Sequence, residues 1–377
     1  MQLSGDYLQI ILNAIRLISI LQRKDTTGLM CLPSLYQMIS IQSDISLKPY
    51  NTFGIDVKAK YFARFSNLKE LGEILNSEQA KQHEHLILGG GSNLLLTKNF
   101  EGLVLKNEMR GMEVIPAAGQ DSFLVKSFAG ELWHNLVMFS IENNLAGIEN
   151  MSLIPGSVGA APMQNIGAYG AEVKDVFNSL EAYEIATGKI RVFTKEECQF
   201  GYRESVFKRA LKNKYIIVSV TFLLHKKAQL NTTYGAINEE LKKAGIITPT
   251  IRDVSNAVIA IRKSKLPDPA EIGNAGSFFK NPVVSKSVFE KLKNTYPDIP
   301  SYPSGEKNVK LAAGWLIEKA GWKGKTIANY GVHKNQALVL VNYGGAMGSE
   351  IYNLSESILQ SVKSMFDVEL EREVNIL

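Results

Sequence analysis

The feature that most constrains the fold is a pair of glycine-rich segments, the first of which directly follows a short apolar run. His85–Leu88 (HLIL) has the length and composition of a buried strand, and the turn 89–93 (GGGSN) follows it without a spacer. Glycine tolerates positive φ angles, so successive backbone N–H groups of such a turn can point toward one phosphate or pyrophosphate group. An ordinary tight turn after a strand has the same pattern. The segment matches neither a P-loop nor a GxGxxG fingerprint.

The second glycine-rich segment, 154–170 (IPGSVGAAPMQNIGAYG), consists mostly of small residues. Such a run allows the main chain to lie flat against a large planar ligand, while Gln164 and Asn165 hydrogen-bond the edge of that ligand. A loop packed against a neighbouring domain is the alternative. Two glycine-rich loops in one chain favour a nucleotide-containing cofactor more strongly than either loop does alone.

A third segment, 274–282 (NAGSFFKNP), is typical of an active-site loop because it places one hydroxyl among small residues. Gly276 lets the backbone turn or approach a ligand closely. We expect Phe278 and Phe279 to anchor the loop in a core, which leaves Ser277 accessible. A tight turn beside a strand is again the alternative.

Composition excludes several classes of protein. The chain has 377 residues, 45% hydrophobic and 21% charged, as expected of a globular protein with two or three domains. Its net charge of +5 comes from scattered lysines and arginines, which argues against nucleic acid as a partner. Only Cys31 and Cys198 occur, so we expect no disulfide framework and a reducing compartment, the cytoplasm. The histidines show no HExxH spacing, and no metal site is expected.

The N-terminal region contains an apolar stretch, Tyr7–Leu21, that is too short and too polar to span a membrane. Its periodicity predicts an amphipathic helix. Asp6 precedes the stretch and no positive cluster does, which disfavours a signal peptide. We interpret residues 1–44 as an N-terminal extension of unknown role.

From Ile45 onward, strand and helix signals alternate along the chain. The pattern predicts strands at 85–88, 102–106, 123–128, 215–224 and 337–342, and a hairpin of 179–185 with 189–193. It predicts helices at 68–75, 132–144, 252–262, 287–294, 310–320 and 347–366. A Pro-rich turn is expected at 299–303. The tail 368–377 alternates like a strand and is expected to return to the first part of the chain.

Nine motifs, taken in order and with their spacing, resemble those of one known family, over about Ser46 to Ile376. They are 51–55 (NTFGI), 88–94 (LGGGSNL), 147–150 (GIEN), 154–170, 200–205 (FGYRES), 265–269 (KLPDP), 273–282 (GNAGSFFKNP), 311–317 (LAAGWLI) and 371–374 (EREV). The family is that of the UDP-N-acetylenolpyruvoylglucosamine reductases. The segment Thr233-Tyr234-Gly235 is similar to the first type of this family, in which a tyrosine closes over the substrate.

The resemblance implies an α+β fold. A two-subdomain FAD-binding module of the vanillyl-alcohol-oxidase (PCMH) type is expected over residues 45–265, with a break near residue 115. A smaller α/β substrate-binding domain is expected over 266–366. Residues 367–377 are expected to form a C-terminal strand that returns to the active site.

The resemblance also implies an activity, the NADPH-dependent reduction of UDP-N-acetylglucosamine enolpyruvate through non-covalently bound FAD, in peptidoglycan precursor synthesis. Its partners are then a small-molecule UDP-sugar and NADPH as co-substrate. Ser277 is expected to be the proton donor, with Arg203 and Glu373 beside it. The cofactor-binding residues expected are Gly89, Gly90, Gly91, Ser92, Asn93, Leu94, Ile154, Gly156, Val158, Gly159, Gln164, Asn165 and Arg262. The substrate-binding residues expected are Tyr234, Lys265, Asn281 and Gln336.

Two other functions fit parts of the pattern. One is a different FAD-dependent oxidase on the same fold, which uses oxygen and an alcohol. Such enzymes often tether FAD through His or Cys, and neither residue occurs in 89–96 or 154–170. The other is a non-catalytic nucleotide-binding module, which the joint presence of Ser277, Arg203 and Glu373 disfavours.

Overall fold

The computed structural model describes residues 39–377, which form one compact unit. The helix predicted at Tyr7–Leu21 lies outside the described residues, as does most of the predicted extension. The boundary predicted at residue 44 is wrong, because the first strand begins at Ile41. This strand, Ile41–Ser46, pairs antiparallel with Lys58–Phe65 and therefore belongs to the first sheet.

The first sheet places the glycine turn 89–93 at its edge. Its strands in spatial order are Ile41–Ser46, Lys58–Phe65, Phe100–Asn107 and His85–Leu88. The last three run parallel, so His85–Leu88 is a short strand at the edge of a parallel array, and the glycine turn leaves its carboxyl end. The helix Leu68–Leu75 connects two of the parallel strands and begins at Asn67, whose side chain accepts from the N–H of Glu70. The strand and the helix predicted in this region are confirmed.

The second sheet is entirely antiparallel. Its strands in spatial order are Ile190–Thr194, Phe177–Glu184, Tyr215–His225, Ser122–Phe128 and Met112–Pro116. The predicted hairpin around Gly188 is confirmed by the pairing of its two strands. The break predicted near residue 115 falls inside the strand Met112–Pro116 and needs correction. The chain passes between sheets at 108–111, where Gly111 has a φ of +128°.

The C-terminal part contains two further antiparallel sheets. One has the strands Gly273–Ser277, Val339–Asn342, Tyr330–Val332 and Thr326–Ile327, and the other has Val283–Ser285, Asn308–Leu311 and Ser301–Ser304. The helix predicted from residue 310 is therefore wrong at its start, because Lys310 pairs with Val283 and Tyr302 and the helix begins at Ala313. The turn predicted at 299–303 is in part the strand Ser301–Ser304.

Most helices of the described chain are short, and the two long ones are Ile251–Lys265 and Gly348–Phe366. The helices are Leu68–Leu75, Glu78–Gln82, Trp133–Glu142, Val173–Val176, Lys195–Cys198, Gly235–Lys243, Ile251–Lys265, Lys286–Thr295, Ala313–Lys319 and Gly348–Phe366. Two-stranded pairs join Gly167–Ala168 to Ala171–Glu172, and Asn375–Ile376 to Leu94–Leu95. Within residues 39–377, no helix has both the length and the apolar character needed to cross a membrane.

The main hydrophobic core is shared between the two ends of the described chain. Phe53 and Leu95 of the first part are buried together with Phe278, Ile358 and Val374 of the last part. Burial of apolar side chains is the dominant stabilising contribution to folding, so these distant segments depend on each other for stability. A second core lies between the antiparallel sheet and the helix Trp133–Glu142, and a third joins the first two sheets.

Asn51 fixes the turn that enters the first core. Its side-chain N–H groups donate to the carbonyls of Leu47 (2.7 Å) and Ile55 (3.0 Å), and its Oδ1 accepts from the N–H of Ile55 (3.0 Å). The side chain is buried, so these groups have no water to replace a lost partner.

We expect Asn51→Ala to lower the free energy of unfolding by about 2–4 kcal/mol, because it leaves buried backbone groups without partners. Urea denaturation measures the change. The control is Asn76→Ala, which removes one exposed hydrogen bond, to the carbonyl of Gly72, and should cost less than about 1 kcal/mol. Equal decreases in the free energy of unfolding of the two variants would contradict the role assigned to Asn51 in this turn.

Candidate active site

Ser277 lies at the end of the strand Gly273–Ser277, on a backbone that is fixed from both sides. Gly276 has a φ of +68° and its N–H donates to Oδ1 of Asn274 (2.9 Å). Phe278 and Phe279 are almost completely buried in the main core. The prediction that the two phenylalanines anchor this loop is confirmed. Ser277 itself is only partly buried, so a ligand can reach its hydroxyl.

The C-terminal tail runs directly beside Ser277. The N–H of Glu373 donates to the carbonyl of Phe278 (2.8 Å), and Phe279 and Arg372 form an antiparallel bridge. The tail returns to the first part of the chain, where Asn375–Ile376 pairs as a regular strand with Leu94–Leu95. The backbone of Glu373 is therefore hydrogen-bonded to Phe278, the residue that follows Ser277.

Arg203 forms an ion pair with Glu373. Its Nε lies 3.1 Å from Oε1 of Glu373, and the two side chains are only 19% and 13% exposed. The remaining guanidinium N–H groups donate to the carbonyls of Gly167 (2.7 Å) and Asn165 (3.4 Å). Arg203 is therefore held between the second glycine-rich segment and the tail, with its fork-shaped group fixed in direction.

The environment of Glu373 raises the pKa of its carboxyl. Burial raises the pKa of this carboxyl above its ordinary value, and the cations Arg203, Lys208 and Lys280 only partly oppose the increase. A carboxyl group with a raised pKa can gain and lose a proton closer to neutral pH than an exposed glutamate can.

The two glycine-rich segments touch each other. A Cβ atom on Gly90 would lie 2.8 Å from Cα of Gly156, and one on Gly156 would lie 2.7 Å from Oγ of Ser92. Gly91 and Gly156 also have positive φ angles, of +62° and +110°. A larger residue at these positions would push the two loops apart. The glycines are thus required for packing between the loops, whatever they also bind.

Asn93 joins three parts of the site. Its side-chain N–H groups donate to Oε1 of Gln164 and to the carbonyl of Glu373. Its own carbonyl accepts from the backbone and side-chain N–H groups of Asn375 (3.2 and 3.0 Å). The glycine turn, the second glycine-rich segment and the tail are therefore mutually positioned through this residue.

Besides Asn93 and Gln164, whose side chains bond to each other, three further predicted cofactor-binding side chains are committed within the protein. Leu94 and Val158 are buried in hydrophobic cores. Asn165 is completely buried; its Nδ2 donates to Glu172 (3.2 Å) and to the carbonyl of Gly201 (3.0 Å), and its Oδ1 accepts from the N–H of Lys174 (2.9 Å). The prediction that the side chain of Asn165 hydrogen-bonds the edge of a planar ligand is therefore wrong, because its amide maintains the shape of the loop.

Arg262 carries a buried donor that lacks an acceptor. Its Nε has no hydrogen-bond partner within residues 39–377, and burial lowers its pKa. Tyr169 is the neighbour that favours the charged form, and that residue is itself half-buried. A buried cationic donor without an acceptor is costly unless a ligand supplies one. Arg262 thus fits a bound group that presents acceptor oxygens or nitrogens.

The four predicted substrate-binding residues meet in one cleft of about 390 Å³. They are Tyr234, Lys265, Asn281 and Gln336. Tyr234 is 43% exposed and its ring contacts that of Tyr169 edge-on, at a centroid distance of 5.1 Å. Tyr234 thus contacts both the cleft and Tyr169, which is a neighbour of Arg262.

Two residues that sequence reasoning missed, Tyr202 and Lys310, lie near Arg203. Tyr202 is half-buried, and Nζ of Lys310 lies 3.9 Å from the centre of its ring. Burial, together with the nearby Arg203 and Lys174, lowers the pKa of Lys310. The motif 200–205 contains Tyr202 and could have indicated it. Lys310 carries no comparable signal, since the pattern predicts a helix that starts at this residue.

Two family models match the chain. One, described as the C-terminal domain of UDP-N-acetylenolpyruvoylglucosamine reductase, matches residues 268–377. The other, an FAD-binding domain, matches residues 59–194. The first match includes Ser277, Asn281, Gln336 and Glu373, and the second includes both glycine-rich segments.

Relatives of known name match along most of the chain. The UDP-N-acetylenolpyruvoylglucosamine reductase of Flavobacterium johnsoniae is 52% identical over 341 residues, which cover 90% of this chain and 100% of that protein. The enzyme of the same name from Pseudomonas aeruginosa is 49% identical over 90% of this chain and 99% of that protein.

A solved structure has the same fold. The UDP-N-acetylenolpyruvylglucosamine reductase of Thermus caldophilus superimposes with a TM-score of 0.62 at 22% identity, over 90% of this chain and 99% of that one. The α+β class and the FAD-binding module of the vanillyl-alcohol-oxidase type are confirmed.

We expect Arg203→Met to raise the pKa of Glu373 above its value in the wild type, because removal of the adjacent cation disfavours the charged carboxylate. Infrared spectroscopy of the carboxyl stretch against pH measures this pKa, and Glu373→Gln identifies the band. The control is Arg209→Met, which removes a more exposed cation 4.0 Å from Glu204 and should leave the band unchanged. An unshifted band in Arg203→Met would show that the ion pair does not control this proton.

Proposed function

Because the chain belongs to the UDP-N-acetylenolpyruvoylglucosamine reductase family, and is an FAD-dependent oxidoreductase of peptidoglycan synthesis, we propose the following reaction for it. The protein reduces UDP-N-acetylglucosamine enolpyruvate to UDP-N-acetylmuramate and oxidises NADPH to NADP⁺, with one proton consumed. The observation that carries the proposal is the contact of three separate segments, in which the Arg203–Glu373 ion pair lies beside the strand that ends in Ser277. The low cysteine content fits the reducing cytoplasm as the place of action.

The cofactor would occupy the groove formed by the two glycine-rich segments. The glycine turn 89–93 offers backbone N–H groups to the pyrophosphate, and residues 154–159 would line the flavin ring. The unpartnered Nε of Arg262 would donate to an acceptor on the cofactor. When bound, FAD accepts a hydride from NADPH and delivers it to C3 of the enolpyruvyl group.

Arg203 would stabilise the charge that develops on the substrate. A hydride added at C3 forms the new C–H bond and pushes the electron pair of the C2–C3 double bond toward the carboxylate, as an enolate. A fixed guanidinium next to this carboxylate lowers the energy of the enolate, because its direction is set before the reaction begins. The carbonyls of Gly167 and Asn165 provide that fixed direction.

Ser277 would complete the reaction by donating a proton to C2. The enolate electron pair returns to form the C2–H bond, which leaves the serine oxygen deficient in one proton. Glu373, with its raised pKa and its position beside Ser277, can hold the proton that restores this hydroxyl.

The cleft formed by Tyr234, Lys265, Asn281 and Gln336 would bind the UDP-sugar. Lys265 and the half-buried Lys310 supply positive charge for a diphosphate. Tyr234, exposed at the rim, can close over the ligand.

The direct test is to measure an absorption spectrum of the purified protein and its NADPH consumption with and without UDP-N-acetylglucosamine enolpyruvate. The proposal requires a flavin spectrum that bleaches with NADPH, and NADPH consumption that depends on the UDP-sugar. A bleached flavin that only oxygen reoxidises would instead indicate an oxidase.

We expect Ser277→Ala to leave flavin reduction by NADPH intact and to slow reoxidation by the UDP-sugar by about 10²-fold or more, the scale of a lost general acid. Stopped-flow absorbance resolves the two half-reactions. Ser357→Ala, on the exposed face of the helix Gly348–Phe366, should leave both rates unchanged. Reoxidation of Ser277→Ala within a few-fold of the wild type would exclude the donor role.

We expect Arg203→Lys to slow reoxidation by about tenfold or more although it keeps the charge, because a lysine cannot reproduce the planar set of hydrogen bonds. The same stopped-flow experiment measures it. The control is Arg191→Lys, in an exposed pair with Glu197 (2.9 Å). Wild-type reoxidation in Arg203→Lys would mean that charge alone is sufficient there.

A further inference from the structure

The loop that would line the flavin is held by the first turn of the helix Trp133–Glu142. The indole N–H of Trp133 donates to the carbonyl of Met151 (2.9 Å), and its backbone N–H donates to the carbonyl of Gly156 (3.0 Å). The N–H of Val158 donates to the carbonyl of Glu131 (2.8 Å). These bonds depend on backbone and indole groups that do not titrate near neutral pH.

One further bond to this loop does depend on a titratable group. The backbone N–H of Leu153 donates to Nδ1 of His134 at 3.0 Å. Leu153 has a φ of +58°, a left-handed conformation that is unfavourable for a residue with a side chain and persists only where the surroundings hold it. Leu153 directly precedes Ile154, the first residue of the predicted flavin-lining loop. His134 is therefore the side chain that binds the strained residue at the entrance to this loop.

The bond requires the neutral form of His134, since a protonated Nδ1 can only donate. The charged residues that face the ring are Arg262 and Lys263, and these cations and burial together lower the pKa of His134 below its ordinary value of 6.5. At neutral pH the imidazole is thus uncharged and its Nδ1 is available as an acceptor.

We propose that His134 is a positioning residue for FAD, because its neutral imidazole holds Leu153 and thereby keeps the loop 154–159 in the shape that binds the cofactor. The inference rests on the assignment of this loop to the flavin made above. Its consequence is a cofactor affinity that weakens in acid. As the pH falls below the ordinary histidine range, protonation removes the acceptor and the loop loses the bond at Leu153.

The experiment titrates apoprotein with FAD at pH 7.5 and at about pH 5, and follows flavin fluorescence. His134→Leu removes the acceptor, and the dissociation constant at pH 7.5 should rise by about fivefold or more, the effect of one lost hydrogen bond. His134→Asn presents Oδ1 in place of Nδ1 and cannot be protonated, so it should keep near-wild-type affinity at pH 7.5. Between pH 7.5 and about pH 5, the dissociation constant for FAD should rise at least about threefold more in the wild type than in His134→Asn.

Hydrogen exchange at the amide of Leu153 gives a second reading. Exchange should be faster in His134→Leu than in the wild type, and His134→Asn should restore protection. If His134 contributed only to general stability, its substitution would alter unfolding without a selective change in hydrogen exchange at the Leu153 amide. The control is His225→Asn, an exposed histidine bonded to Oγ of Ser122, which should not alter the pH dependence of FAD affinity.

Equal pH dependence in the wild type and His134→Asn would overturn the inference, as would unchanged FAD affinity in His134→Leu. If His134→Leu does not fold, the comparison with His134→Asn decides. The measurement uses binding and not turnover, so it is separable from the proposed function. If the wild type turns over the UDP-sugar and the His134 variants bind FAD as the wild type does, only the inference is refuted. If FAD affinity depends on His134 but the wild type does not turn over the UDP-sugar, only the proposed function is refuted.

Discussion

The ion pair between Arg203 and Glu373 is the interaction on which the organisation of the site depends. Arg203 binds the tail through this ion pair and the second glycine-rich segment through the carbonyls of Gly167 and Asn165, and both charged side chains are mostly buried. A buried carboxylate or guanidinium without its partner would be strongly destabilising, so each of the two segments needs the other in place. The tail in turn runs beside the strand that ends in Ser277, and it reaches the glycine turn through Asn93. The candidate active site thus exists only when the last residues of the chain are folded against the first sheet.

The glycine-rich segments show that two interpretations of a sequence pattern can both hold. At Gly90 and Gly156 the close approach of the two loops excludes any side chain, which is the packing explanation. The second segment also contains Tyr169, a neighbour of Arg262, whose buried Nε has no hydrogen-bond partner within residues 39–377. The packing of the two loops is therefore compatible with the cofactor-binding role proposed for the same small residues.

The sequence patterns predicted local structure best where the signal was continuous. The strand His85–Leu88, the hairpin around Gly188 and the helix Ile251–Lys265 all formed close to their predicted limits. Predictions failed where partners distant in sequence decide the outcome. Lys310 has a helical neighbourhood but is paired on both sides in a sheet. The side-chain amide of Asn165 has the donors and the acceptor needed to bind the edge of a ligand. Hydrogen bonds with residues 172, 174 and 201 occupy it instead.

The sequence by itself determined the family, because short motifs with strict spacing depend on local backbone requirements and residue type, and it predicted which residues carry the chemistry. Only the tertiary structure decided which of those residues meet. Arg203 and Glu373 are far apart along the chain and form an ion pair, and the tail that carries Glu373 is bonded to Phe278, next to Ser277, beside a hydrophobic core shared by the two ends. The burial that raises the pKa of Glu373, and the bond from Leu153 to His134, likewise depend on packing between segments that no local pattern encodes.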